Sequence, residues 1–142
     1  YNKEGNSKLP REVGIDLQMW GCTACNLCVT VCPNDAFVKL PSPAHLADEI
    51  GGRWQYLVFA ELCNECGNCM TFCPEDGDPA QIKPKLFFDE ARFNGSEGQG
   101  FRLVSADGTI GAIASEGWSQ ELATLTAVIA GDQGVPLRAT DF

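Results

Sequence analysis

All eight cysteines of the sequence fall into two copies of one spacing, Cys22-x2-Cys25-x2-Cys28-x3-Cys32-Pro33 and Cys63-x2-Cys66-x2-Cys69-x3-Cys73-Pro74, and none is left over. Three thiols two residues apart wrap a loop around three corners of an iron–sulfur cubane. The fourth enters a helix and points away, and in two-cluster proteins with this run it ligates the other cluster. The spacing therefore predicts two [4Fe-4S] clusters, one held by Cys22, Cys25, Cys28 and Cys73, the other by Cys63, Cys66, Cys69 and Cys32. Each half of the repeat is thereby stapled to its twin. Pro33 and Pro74 have no backbone N–H and turn the chain away after the last ligand of each run. Ala24 and Gly67 suit crowded loops whose amides donate to sulfur and so tune the potential.

Three other readings of the cysteines are weaker. A disulfide framework needs an oxidising compartment, and two identical close runs would leave neighbouring cysteines competing for partners. Structural zinc sites present two separated C-x2-C pairs rather than four cysteines in one run. A single cluster with a decayed second motif requires a substituted ligand position, and here none is substituted.

The rest of the composition narrows the function by exclusion. A net charge of −9 and a pI near 4.4 do not suit nucleic acid, whose phosphates require clustered Lys and Arg. Electrostatics favours a basic protein partner. No run approaches the roughly 18 consecutive apolar residues of a membrane span. The first residues, Tyr1 to Pro10, are polar rather than signal-like, so a cytoplasmic location is expected.

Patterning places the motifs on an α+β scaffold. Ile15 to Trp20 alternates weakly as a strand entering the first motif, the motif's end makes a helical turn, and Ala36 to Leu40 returns as a strand. Pro41 and Pro43 break that strand, and residues 41–53 form a polar connection. Trp54 to Ala60 enters the second motif as a strand, and Leu86 to Phe88 forms the last strand of the core. The expected fold is thus a bacterial 2[4Fe-4S] ferredoxin-like pseudo-twofold repeat. Residues 1–14 read as a connecting segment, 15–92 as the cluster-bearing domain and 93–142 as a docking extension. Within that extension, Phe101 to Val104 and Thr109 to Ala114 flank Asp107-Gly108 as a hairpin. Leu122, Leu125 and Ile129 recur at helical spacing after Ser119, and Gly131 with Asp132 ends the helix.

A family resemblance runs across much of this stretch. Leu9-Pro10-Arg11-Glu12-Val13-Gly14, Leu17, Trp20, the first motif and Pro33-Asn34-Asp35-Ala36 carry its first part. Leu62 to Cys69, Thr71-Phe72-Cys73-Pro74, Lys85, Phe87 and Gln99-Gly100-Phe101 carry its second. Together they resemble the carboxy-terminal two-cluster region of YgfK-type selenate reductases, within the glutamate synthase small-subunit-like oxidoreductase family. Ala80 departs from that pattern, standing where an aromatic residue is expected. The resemblance implies that FAD and NAD(P)H lie in a partner chain or domain that exchanges electrons with the clusters, sometimes near a molybdenum-hydroxylase-type partner. A free-standing ferredoxin serving several partners is the alternative.

No substrate site of the chain's own is visible. Gly95-Ser96-Glu97-Gly98-Gln99-Gly100 has the wrong order for a dinucleotide fingerprint, and His45, the only histidine, lies in the polar connection. Trp20, Trp54 and Trp118 read as packing residues. The expected mechanism is outer-sphere transfer of single electrons. Glu61, Glu65, Glu75 and Asp76 flank the motifs and are expected to lower the potentials.

Overall fold

The computed structural model describes residues 13–96, 100–106 and 109–130. One five-stranded mixed sheet, with its strands in chain order, organises the molecule. The strands are β1 (Phe37–Pro41), β2 (Trp54–Phe59), β3 (Lys85–Phe87), β4 (Phe101–Ala106) and β5 (Thr109–Ala114). The helices are α1 (Leu27–Thr30), α2 (Asn68–Phe72), α3 (Pro79–Ile82), α4 (Glu90–Gly95) and α5 (Ser119–Ala130).

β1 and β2 pair antiparallel from Phe37↔Val58 to Pro41↔Trp54. Pro41 lacks an N–H and is tolerated because β1 is an edge strand. β2 carries the run Gln55-Tyr56-Leu57-Val58, buried at every position, as a strand covered on both faces must be. It then pairs parallel with β3, through Val58↔Lys85 and Phe59↔Leu86. A parallel pair needs a long crossover, and this one contains the whole second motif together with α2 and α3. A second parallel step, Leu86↔Phe101, carries the sheet from β3 to β4, with α4 in the crossover. β4 and β5 close it as an antiparallel pair whose turn, residues 107–108, lies outside the described residues.

Sequence and structure differ in two strands. The expected strand over Ile15 to Trp20 is a single parallel bridge, Asp16↔Asp76, flanked by Leu17 N–H to Asp76 O and Asp76 N–H to Ile15 O, at 2.9 and 2.8 Å. Leu17 alone of that stretch is buried, so there is no apolar face for a longer strand to cover. The strand expected over Leu86 to Phe88 as the last of the core is β3, Lys85–Phe87, and it lies inside the sheet. α4 spans the boundary drawn between residues 92 and 93, and the strands on either side of it share hydrogen bonds. Leu57, Leu86, Phe101, Leu103 and Leu125 form one core cluster across that boundary, with Trp20 and Trp118 packed on it.

α5 takes in Ser119, expected as the cap ahead of the helix, and has Leu125 and Val128 buried and Leu122 and Ile129 packed against the cluster. The expected stop at Gly131-Asp132 lies outside the described residues, as do Leu9 to Glu12 and Gln99.

Candidate functional site

The two cysteine loops share left-handed residues at matching positions. Ala24 and Glu65, each two residues after the first cysteine of its run, have φ of 52° and 55°. Asn26 and Gly67, each one residue after the second, have φ of 67° and 76° and stand at the N-terminal ends of α1 and α2. Left-handed turns at matching positions curl both loops so that successive thiols face one interior. Amides then point at sulfur, with Ala24 N–H 3.4 Å from Cys22 Sγ and Ala36 N–H 3.3 Å from Cys32 Sγ.

Two hollows lie between the loops. The first, with a cavity volume of about 20 Å³, is lined by Cys22, Cys25, Cys28 and Cys73, with Tyr56, Glu75 and Lys83 among its walls. The second, also about 20 Å³, is lined by Cys63, Cys66, Cys69 and Cys32, with Glu65, Asp78 and Ala80. Each hollow therefore gathers three thiols of one motif and the fourth of the other. All eight cysteines are free thiols. A wider open hollow, about 490 Å³, adjoins Cys63 and is flanked by Lys85 and Arg92.

The halves are bound to each other by more than the cysteines. Glu75, two residues past Cys73, accepts from Thr23 N–H at 2.7 Å and Thr23 Oγ1–H at 2.8 Å, next to Cys22. Asn68 Nδ2–H reaches Val31 O at 3.5 Å, where α1 and α2 lie side by side. Two buried polar residues complete the support of the first loop. Gln55 accepts from Gly21 N–H at 2.9 Å and donates to Ser42 Oγ and Gly51 O. Lys83, 3 % exposed, donates to Gln18 O at 2.8 Å, Met19 O at 3.4 Å and Gly21 O at 2.7 Å.

Protonation follows burial. Desolvation, and after it the nearby Cys22, push the Cys28 thiol up to about 12. Desolvation lifts Cys69 to about 11, against hydrogen bonding from Ala80 N–H. Cys73 is raised by burial, with Glu75, Cys25 and Cys22 also acting upward. Lys83 is lowered by burial, while Cys22, Glu75, Cys28 and Cys73 pull the other way.

The walls fit a sulfur-rich anionic group. Tyr56 is 1 % exposed and its hydroxyl has no hydrogen-bond partner among the described residues, although it borders the first hollow. An acceptor within the hollow satisfies it, as sulfide or thiolate does. Among the described residues no three His, Cys, Asp or Glu side chains converge tightly enough for a single metal ion.

Residues 21–77 match the family model of the 4Fe-4S dicluster domain. That span runs from just before Cys22 to just past Cys73, so the dicluster match takes in both motifs and the β1–β2 hairpin between them. It supports an iron–sulfur, metal-binding, electron-transfer role. No curated protein and no solved structure matches the chain. Among the described residues no helix is long and apolar enough to cross a membrane.

Several supporting residues escaped the sequence. Of the four acids expected near the motifs, Glu75 lines the first hollow and Glu65 the second. Glu61 instead accepts from Phe88 and Asp89 N–H, and Asp76 is exposed. Asp78 joins the second hollow unforeseen. Its Oδ1 caps α3 at Ala80 N–H, 2.9 Å, and accepts from Cys69 Sγ–H at 3.7 Å. Ala80, small where an aromatic was expected, is buried against that hollow. Gln55 had a weak signal, a lone amide in an apolar run. Lys83 had none.

Proposed function

We propose that the chain is an electron-transfer module holding one [4Fe-4S] cluster on Cys22, Cys25, Cys28 and Cys73 and a second on Cys63, Cys66, Cys69 and Cys32. The observation that carries this reading is the crossed lining of the two hollows, three thiols from one motif and one from the other in each. The matching left-handed positions of the loops support a pseudo-twofold relation between the halves. When bound, such clusters supply reversible one-electron exchange.

The chain's own residues hold, shield and tune. Four thiolates per site fill every corner, which leaves no ligand position for a substrate. Gln55, Glu75 and Lys83 fix the first loop through buried hydrogen bonds, and Asp78 fixes the second through the cap of α3. Cys25 and Cys66 are exposed, and each offers a short route between its site and a docked protein.

The module relays electrons between a flavin- and NAD(P)H-dependent unit and another redox partner, a molybdenum-hydroxylase-type protein among the candidates. The resemblance to glutamate synthase small-subunit-like oxidoreductases supports this choice of partner. Of residues 93–142, expected as a docking extension, β4, β5 and α5 share the sheet and core cluster, which favours a cover for the cluster-bearing body.

Cys66→Ser tests the assignment. Iron content and reducible visible absorption fall together if Cys66 is a ligand, and unchanged values remove it from the set. Native mass spectrometry of the protein with its copurifying chains tests the partner. A bound flavoprotein is the expected companion, whereas equal electron delivery to unrelated acceptors points to a free-standing ferredoxin.

A further inference from the structure

The two hollows share a ligand pattern but not an electrostatic setting. The charged residues lining the first are Lys83 and Glu75, one of each sign, and the Tyr56 hydroxyl adds a donor without a protein acceptor. The charged residues lining the second are Glu65 and Asp78, both negative, with no cation among its walls. Asp78 Oδ1 lies 3.7 Å from Cys69 Sγ, so its charge sits directly against a ligand. Reduction adds a negative charge to a site, and it is favoured by cations and donors and opposed by anions in a weakly screened environment.

We propose that Lys83 and Tyr56 make the first site the higher-potential one of the pair, so that a single electron entering the chain comes to rest near Cys22, Cys25, Cys28 and Cys73 rather than at the second site. Lys83 is suited to this role by burial, because a cation in water is screened, whereas Lys83 is shielded from solvent and anchored on the carbonyls of Gln18, Met19 and Gly21. Burial lowers its pKa, while Cys22, Glu75, Cys28 and Cys73 act to hold the charge in place. Tyr56 acts by donating its otherwise unpartnered hydroxyl to sulfur, a bond that strengthens as the sulfur gains charge. The transfer itself balances simply: one electron leaves the second site, which is oxidised, and enters the first, which is reduced, with no bond or proton changing hands.

This inference rests on the crossed assignment proposed above. The experiment is a dithionite redox titration followed by electron paramagnetic resonance of the wild-type chain, Lys83→Met, Lys83→Arg, Tyr56→Phe and Asp78→Asn, each first assayed for iron. Two one-electron steps are expected in the wild type, separated by at least tenfold in equilibrium constant, or about 59 mV. Lys83→Met and Tyr56→Phe lower the upper step and leave the lower one in place, Lys83→Arg restores the upper step, and Asp78→Asn raises the lower. Tyr56→Phe removes only an unpartnered hydroxyl, so it decides the matter if Lys83→Met does not hold its iron. Coincident steps in a wild type with full iron, or equal shifts of both steps in Tyr56→Phe, overturn the inference alone. A wild type with far fewer than about eight irons per chain overturns the crossed assignment and this inference with it.

Discussion

Gly21 precedes the first ligand and is the tightest backbone contact beside it. At φ +70°, a Cβ there would lie 2.7 Å from both Ile50 O and Gly51 O. Those are backbone atoms, so no rotamer change relieves the overlap, and the loop carrying Cys22 must move. Gly21→Ala therefore combines left-handed strain of about 1–2 kcal/mol with weakening of two buried bonds, Gly21 N–H to Gln55 and Lys83 Nζ–H to Gly21 O. With about 1 kcal/mol for the neutral bond and somewhat more for the charged one, the loss is about 3–5 kcal/mol. Gly67 provides the control. Its φ is +76°, but nothing lies within 4 Å of its would-be Cβ, so only the strain term applies. Thermal unfolding of the two cluster-loaded variants, with iron measured on each, should show Gly21→Ala lower in Tm by roughly 5–15 °C for a chain of this size. Iron loss should be confined to the first site. Equal Tm values and equal iron would refute the close-contact reasoning.

Two further outcomes follow from burial. In the cluster-free protein, the thiols of Cys28 and Cys69 are raised from 9.0 to about 12 and about 11, so the folded chain keeps protons that the unfolded chain gives up. Their stabilisation is complete below about pH 9 and is lost as pH rises from there through the folded values, so the urea midpoint should drop between about pH 9 and about pH 12; a rising midpoint contradicts it. Leu125→Ala removes a fully buried side chain from the cluster that joins β2, β3, β4 and α5. About 2–5 kcal/mol should be lost in a single cooperative transition, whereas a separate early transition would mean that α5 is an independent unit.

The parts of the structure legible in the sequence are those governed by local pattern. The cysteine spacing announced the two loops, the apolar run after Trp54 announced β2, and helical recurrence of Leu122, Leu125 and Ile129 announced α5. Short elements were missed although their caps were present. Asp78 and Asp89 accept from Ala80 and Arg92 N–H at the starts of α3 and α4, but helices this short show no apolar period. Long-range pairing was the larger gap. That β3 and β4 join β2 in one sheet depends on crossovers whose ends no local pattern marks. The polar supports were hidden for the same reason. Lys83 meets carbonyls more than 60 residues earlier in the chain, and its neighbours Ile82 and Pro84 give no sign of it.

Crossed ligation makes a demand that uncrossed ligation does not, and Cys32→Ser puts it to trial by electron paramagnetic resonance of the reduced protein. The serine variant should alter the same signal that Cys63→Ser and Cys69→Ser alter, and leave intact the signal that Cys22→Ser and Cys28→Ser disturb. If Cys32→Ser instead disturbs the signal shared with Cys22 and Cys28, each motif holds its own cluster and the crossed arrangement is wrong.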